Sequence, residues 1–153
     1  MPHVRHSTAQ VGPANVFYRE AGTPGRPVLL LLHGFANSSH YFRHLMPKLA
    51  GRFHLIAPDL PSFGFTTIEE GAGYQFTFAG LTETIQGFVN ELSLRRFAMY
   101  VFDYGAPVSF NLAVANPDSV TNADVRFLDT GHFALETNVD DFASEILKLT
   151  VNA

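Results

Sequence analysis

Short apolar runs alternate along the chain with amphipathic stretches, and this pattern predicts strands separated by helices. The predicted strands cover residues 4–10, 14–20, 28–32, 54–57, 97–102 and 125–128. The predicted helices cover residues 39–50, 78–92, 106–115 and 139–149. Such an alternation favours an α/β fold with a mostly parallel sheet and helices on both faces. The turn signal Gly12-Pro13 joins the first two strands as an antiparallel N-terminal hairpin.

Length and composition narrow the protein class. The chain has 153 residues, 46% of them apolar, which predicts one domain over residues 1–153 with a single core. Its ten basic residues are scattered and its net charge is -4, which argues against a nucleic-acid-binding surface. Apolar runs too short to span a membrane, and an N-terminus unlike a signal peptide, predict a cytoplasmic protein without a membrane partner. The chain has no cysteine and shows no metal-ligand spacing, so neither a metal nor a cofactor is expected.

The segment Val-Phe-Asp-Tyr-Gly-Ala-Pro at 101–107 follows a predicted strand and opens a helix of small residues. This layout is typical of a nucleophile elbow, a sharp turn that lifts one side chain above the sheet and directs helix N–H groups at the reacting centre. Asp103 stands where serine usually stands, and a carboxylate there can attack carbon and form a covalent ester. The sequence therefore predicts Asp103 as a nucleophile.

Other loops are predicted at the same end of the sheet. Gly34 permits a tight turn after the strand at 28–32, so the N–H groups of Phe35 and Tyr104 are expected to form an oxyanion hole. His132 follows the last predicted strand and is expected to act as the general base.

Two further polar residues in these loops are predicted to be structural. His33 precedes the turn and is expected to support the loop. Asp59 follows the strand at 54–57 and is expected to brace its own loop.

Four segments, in this order, resemble the α/β-hydrolase superfamily, in the branch of haloalkane dehalogenases and epoxide hydrolases. They are His-Gly-Phe at 33–35, Asp-Leu-Pro-Ser-Phe-Gly at 59–64, Phe-Asp-Tyr-Gly-Ala-Pro at 102–107 and Asp-Thr-Gly-His-Phe at 129–133. The resemblance implies a hydrolase with Asp103 as nucleophile, His132 as the base that activates water, and the Phe35 and Tyr104 amides as oxyanion hole. The implied substrates are small electrophilic molecules, namely alkyl halides, epoxides or esters.

The resemblance also implies that a large piece of the family fold is absent, because family members are about twice as long. Residues 1–120 match the N-terminal half of the fold, and residues 122–153 match the final strand, the histidine loop and the last helix. Between them the family has two more core strands, the helical cap and the loop that carries the acid orienting the histidine. The expected fold is therefore a truncated α/β-hydrolase fold.

The short connection after the elbow helix decides whether such a chain can close its sheet. Nine residues, 116–124, separate that helix from the strand at 125–128, which is enough for a right-handed crossover. The crossover would place this strand beside the elbow strand and His132 near Asp103. The new sheet edge would be exposed, so a homo-oligomer is expected through it.

The chain also departs from the family pattern at the site. It has no Trp, and Tyr104 and Phe35 occupy the positions from which dehalogenases of this kind hold the leaving halide. Glu136, four residues after His132, is expected to orient the imidazole.

The alternative to an active hydrolase is an impaired or inactive remnant of the fold that acts as a structural or oligomeric module. A serine esterase is a third and weaker interpretation, because the chain contains no Gly-x-Ser-x-Gly segment.

Overall fold

The computed structural model describes residues 3–120 and 131–148. The strands are β1 (Arg5–Val11), β2 (Ala14–Ala21), β3 (Val28–Leu32), β4 (His54–Pro58), β5 (Thr67–Ile68) and β6 (Phe97–Val101). The helices are a 3₁₀ turn (Ser39–Phe42), α1 (Leu45–Leu49), α2 (Phe78–Glu91), α3 (Gly105–Ala115), α4 (Ala134–Thr137) and α5 (Val139–Lys148). The predicted strand at 125–128 lies outside the described residues.

The strands form a mixed sheet in the order β1-β2-β4-β3-β6, with β5 paired to β2. The central strand β3 runs parallel to both β4 and β6. On one side of this parallel centre, β2 pairs antiparallel with β4 and with β1. The predicted α/β fold and its N-terminal antiparallel hairpin are therefore confirmed.

Helices cover both faces of the sheet, which explains the unbroken apolar sequence of β3. Leu29 and Leu31 point into one core with residues of α1 and α5, including Leu45 and Ile146. The alternate leucines of β3 point into a second core with residues of α2 and α3. The period of two along the strand thus divides the interior into two layers.

The predicted helix at 39–50 is divided into the 3₁₀ turn and α1. Pro47 lies in the first turn of α1, where its missing N–H costs little. In a continuous helix the ring of Pro47 would contact the carbonyl of Arg43 and remove one hydrogen bond. The break therefore follows from proline stereochemistry. The predicted bounds of α2 and α3 agree with the structure to within one residue.

After α3 the chain returns to the sheet beside β6. Phe97 donates its N–H to the carbonyl of Ser119 at 2.9 Å, and Val120 forms a parallel bridge with Phe97. This return starts the predicted crossover, whose continuation lies outside the described residues. Within residues 3–120 and 131–148, no helix is long and apolar enough to cross a bilayer.

Candidate active site

The turn between β6 and α3 has the geometry of an elbow. Asp103 has a φ of +50°, in the left-handed region that non-glycine residues rarely occupy. α3 begins two residues later, at Gly105, and Asp103 is exposed to solvent. A strained backbone at an exposed carboxylate is typical of functional sites.

Two glycines let the elbow pack directly against the loop after β3. A Cβ on Gly105 would lie 2.5 Å from the carbonyl oxygen of Leu32, and a Cβ on Gly34 would lie 2.4 Å from Cβ of Asp103. Real side chains do not approach so closely, so any other residue would force the two loops apart. The glycines therefore set the distance between the predicted nucleophile and the predicted oxyanion loop.

Both predicted oxyanion donors point at the predicted nucleophile. The N–H of Phe35 donates to Oδ1 of Asp103 at 2.9 Å, and the N–H of Tyr104 donates to the same oxygen at 2.7 Å. The two amides therefore share one carboxylate oxygen as their acceptor. The structure thus brings Asp103, Phe35 and Tyr104 together as one cluster.

His132 lies beside the elbow. Its ring centroid is 4.8 Å from that of Phe102, the residue before Asp103, and 4.9 Å from that of Phe133. The side chain is exposed, on the turn that precedes α4. Two segments far apart in sequence therefore place the predicted base next to the predicted nucleophile loop.

Glu136, the predicted orienting acid, pairs with Arg43. Its two carboxylate oxygens accept from the two terminal nitrogens of Arg43 at 2.9 and 2.5 Å. The hydrogen bond from Arg43, followed by its positive charge, lowers the pKa of Glu136. The structure thus gives this carboxylate a partner other than His132. Asp124 and Asp129, two other carboxylates near His132 in sequence, lie outside the described residues.

His33 is fully buried and holds two loops together, as the sequence predicts. Its Nε2 accepts from the N–H of Leu60 at 2.9 Å, so the ring proton is on Nδ1, which donates to the carbonyl of Gly34 at 3.0 Å. Burial lowers the pKa of His33 and keeps the ring neutral.

Asp59 braces its loop in the same way. It is fully buried, and its carboxylate accepts from the N–H of Ser39 at 2.6 Å and from the N–H of Phe65 at 2.8 Å. Its predicted structural role is confirmed.

Aromatic rings line the mouth of the site. The ring of Tyr104 lies 5.1 Å from Phe78, 5.8 Å from Phe35 and 6.1 Å from Phe63, measured between centroids. All but Phe63 are exposed large hydrophobics. Phe63 belongs to the motif at 59–64, but the sequence did not indicate its place at the mouth, because its nearness to the elbow depends on how the loop after β4 folds back. The mouth can therefore contact apolar parts of a ligand.

In the described ranges, no three His, Asp or Glu side chains are arranged to hold a metal ion.

Comparison with known proteins shows which family the chain belongs to. The family described as alpha/beta hydrolase fold matches residues 27–123, well over half of the chain. The chain belongs to the α/β-hydrolase fold family. It is 56% identical over 106 residues to an uncharacterized hydrolase of Saccharomyces cerevisiae, a match that covers 69% of this chain and 36% of that protein.

Members of the family with named chemistries are also similar to this chain. An epoxide hydrolase A of Mycobacterium tuberculosis is 33% identical over 102 residues, covering 66% of this chain and 31% of its own length. The crystal structure of the haloalkane dehalogenase DbeA from Bradyrhizobium elkani aligns with a TM-score of 0.71 and 28% identity, covering 77% of this chain and 40% of that one. This α/β-hydrolase chain is thus related to both groups and spans less than half the length of these relatives.

Proposed function

We propose that this α/β-hydrolase chain is an enzyme in which Asp103 attacks an electrophilic carbon. One observation carries the proposal: the amides of Phe35 and Tyr104 converge on Oδ1 of Asp103. They stabilise negative charge on that oxygen and leave Oδ2 as the attacking atom. An aspartate that merely caps a helix would not need a second donor from a loop 68 residues away.

The proposed reaction uses the same two donors twice. Attack joins Oδ2 to the substrate carbon while the bond to the leaving group breaks and the leaving group keeps the electron pair. Oδ1 becomes the ester carbonyl oxygen. Water then adds to Cγ as His132 takes its proton, and negative charge develops on Oδ1, where the amides of Phe35 and Tyr104 already donate. The intermediate expels Oδ2 with the substrate as an alcohol, which takes the proton from His132. The new carboxylic acid at Asp103, which holds the oxygen of the water, then releases its proton to solvent and restores the carboxylate.

The proposed substrates are small electrophiles, namely alkyl halides, epoxides or simple esters. The similarity to an epoxide hydrolase and to a haloalkane dehalogenase supports carbon electrophiles as a class. The rings of Phe35, Phe78 and Tyr104 at the mouth favour substrates with an apolar body.

Intact-mass spectrometry with an activated alkyl halide and with an epoxide tests the proposal. Wild type is expected to gain one adduct, mapped to Asp103, and Asp103→Ala is expected to gain none. His132→Gln should accumulate the adduct, because ester formation persists while water is no longer activated. Asp118→Ala removes another exposed carboxylate and should react like wild type. The absence of an adduct with both reagents in His132→Gln, together with no ester turnover by wild type, would contradict the proposal.

A second candidate function is an oligomeric structural module. It is favoured by the outer face of α3, where Phe110 is 68% and Val114 is 83% exposed. It predicts concentration-dependent association in sedimentation velocity that Val114→Glu weakens. A monomer at all concentrations would exclude it. The cytoplasmic location stays a prediction from the short apolar runs and the N-terminal sequence.

A further inference from the structure

We infer that Tyr41 and Phe102 are positioning residues that hold His132 at the elbow through a column of packed rings. The inference rests on the proposed function, in which His132 activates the water that attacks the ester. It concerns the second half of that reaction only, because the first half needs Asp103 and not the histidine.

The column starts in the core and ends at the histidine. The ring of Tyr41, which is fully buried, stacks on Phe102 at a centroid distance of 4.9 Å and an interplanar angle of 23°. The ring of Phe102 in turn lies 4.8 Å from that of His132, at an angle of 53°. Phe133 contacts the histidine ring at 4.9 Å, nearly perpendicular to it. The exposed imidazole of His132 is therefore in contact with two rings, those of Phe102 and Phe133, and Phe102 is held in place by buried Tyr41.

Tyr41 also holds the backbone that carries the histidine. Its hydroxyl oxygen accepts from the N–H of Leu135 at 3.3 Å, and both residues are buried. Leu135 is three residues after His132. The ring of Tyr41 thus contacts Phe102 beside the proposed nucleophile, while its hydroxyl binds the segment that follows His132. One side chain therefore sets the spacing between the elbow and the histidine segment.

Surface ion pairs also join the segment that follows Tyr41 to the segment that follows His132, but they contribute less to the position of the imidazole ring. Arg43 pairs with Glu136, and Lys48 pairs with Asp140 at 2.6 Å. Ion pairs with exposed partners are weak and are screened by salt. The stack of Tyr41 on Phe102 and the hydrogen bond of the Tyr41 hydroxyl are directional contacts, and the stack ends at the imidazole itself.

The position of His132 matters because proton transfer from water requires hydrogen-bond distance in the reacting complex. A displacement of about 1 Å can slow such a step by about 100-fold. Loss of the column should therefore slow hydrolysis of the ester at Asp103 and spare its formation. A purely structural role would reduce both steps together.

Time-resolved intact-mass spectrometry separates the two steps. In Phe102→Leu, ester formation should stay within about twofold of wild type, and ester hydrolysis should slow by about 10- to 100-fold, so that the adduct accumulates. Phe102→Tyr keeps the ring and should restore hydrolysis. Tyr41→Phe keeps the stack but removes the hydroxyl, and it should give an intermediate rate of ester hydrolysis.

Phe142→Leu is the control: it removes a half-buried ring of α5, outside the column, and should behave like wild type. Equal slowing of both steps in Phe102→Leu, or unchanged hydrolysis, would overturn the inference.

Proton NMR of the histidine rings tests the contact without any turnover. The His132 signals are assigned by their loss in His132→Gln, and the ring currents of Phe102 should displace them from free-imidazole positions. Phe102→Leu should return them toward those positions, whereas Phe142→Leu should not. Signals at free-imidazole positions in wild type would overturn the inference. Absence of any adduct together with displaced signals would contradict the proposed function alone, and the column would stand.

Discussion

Two aspartate–histidine sets lie near the carboxyl ends of the parallel strands β3, β4 and β6, and they differ in their surroundings. Asp59 and His33 are fully buried, and backbone groups of neighbouring loops bind both carboxylate oxygens and both ring nitrogens. Asp103 and His132 are exposed. The amides at Asp103 bind one oxygen, and the described contacts of His132 are with rings. The residue types are equal, so burial and hydrogen-bond saturation separate the structural set from the set that is proposed to react.

The backbone shows the same contrast. Asp103 is held at a φ of +50°, a conformation with a free-energy cost that the surrounding contacts must offset. Asp59 follows a regular strand, and its N–H donates to the carbonyl of Phe17 at 2.8 Å. Strain is therefore located at the carboxylate that is proposed to react, and not at the one that braces the loop.

The largest expected effect comes from the matched pair Asp59→Asn and Asp103→Asn. Asp59→Asn places an amide NH₂ against a buried backbone donor and should lower the free energy of unfolding by about 3 kcal/mol. Asp103→Asn keeps an acceptor for the two amides at an exposed site and should change it by less than about 0.5 kcal/mol. Urea denaturation of both variants measures the difference. Equal losses would show that burial does not distinguish the two aspartates.

The elbow glycine provides the next test. Gly105→Ala would place a methyl group 2.5 Å from the Leu32 carbonyl oxygen, and such overpacking should cost about 1–3 kcal/mol. Gly51 has open space around its Cβ position, so Gly51→Ala should change stability by less than about 1 kcal/mol. Thermal unfolding of both variants provides the measurement. A Gly105→Ala protein as stable as Gly51→Ala would argue against close packing of the two loops.

The dependence of stability on pH tests the buried histidine. The pKa of His33 is lowered from 6.5 in the folded state, so the unfolded chain binds the proton first as pH falls. The neutral His33 ring therefore makes its full contribution to the free energy of unfolding above pH 6.5. This contribution falls as the pH drops below 6.5, with a slope of at most about 1.4 kcal/mol per pH unit. His33→Gln should be less stable than wild type at pH 8, and the gap should narrow toward pH 5. A constant gap in urea titrations across this range would contradict the assignment of a neutral ring.

The smallest expected effect is that of Glu136→Gln, which breaks the pair with Arg43. Half-exposed pairs contribute about 0.5 kcal/mol, and hydrolysis of the Asp103 ester should slow by less than about twofold. If Glu136 orients His132 instead, as the sequence predicts, hydrolysis should fall by up to about 10⁴-fold. The rate of adduct loss in intact-mass spectrometry distinguishes the two results.

Local sequence predicted most of the elements and the elbow. The unbroken apolar run of β3 and the spacing of apolar residues in α2 are properties of consecutive residues, and the predicted bounds of both elements agree with the structure to within one residue. The elbow was equally readable, because Asp103 and Gly105 form one turn. β5 has two residues and is defined by its pairing with β2, so no local pattern indicated it.

Long-range contacts could not be predicted in the same way. Arg43 and Glu136 are 93 residues apart, and nothing near either one indicated the other. The contact between Tyr41 and Leu135 crosses a similar separation. Such contacts depend on how α4 and α5 pack against the loop after β3.

The sequence by itself thus indicates the order of the elements, the family and the candidate nucleophile, because periodicity, turn chemistry and the elbow motif are all local. It does not indicate how deeply a side chain is buried or which distant residue it pairs with. The bracing role of Asp59 was predicted from its loop, but packing of distant segments decided that Asp59 is buried and Asp103 exposed, and it paired Glu136 with Arg43. Solvent exclusion and hydrogen-bond saturation belong to the assembled fold, so the same side chain has different contacts in each place.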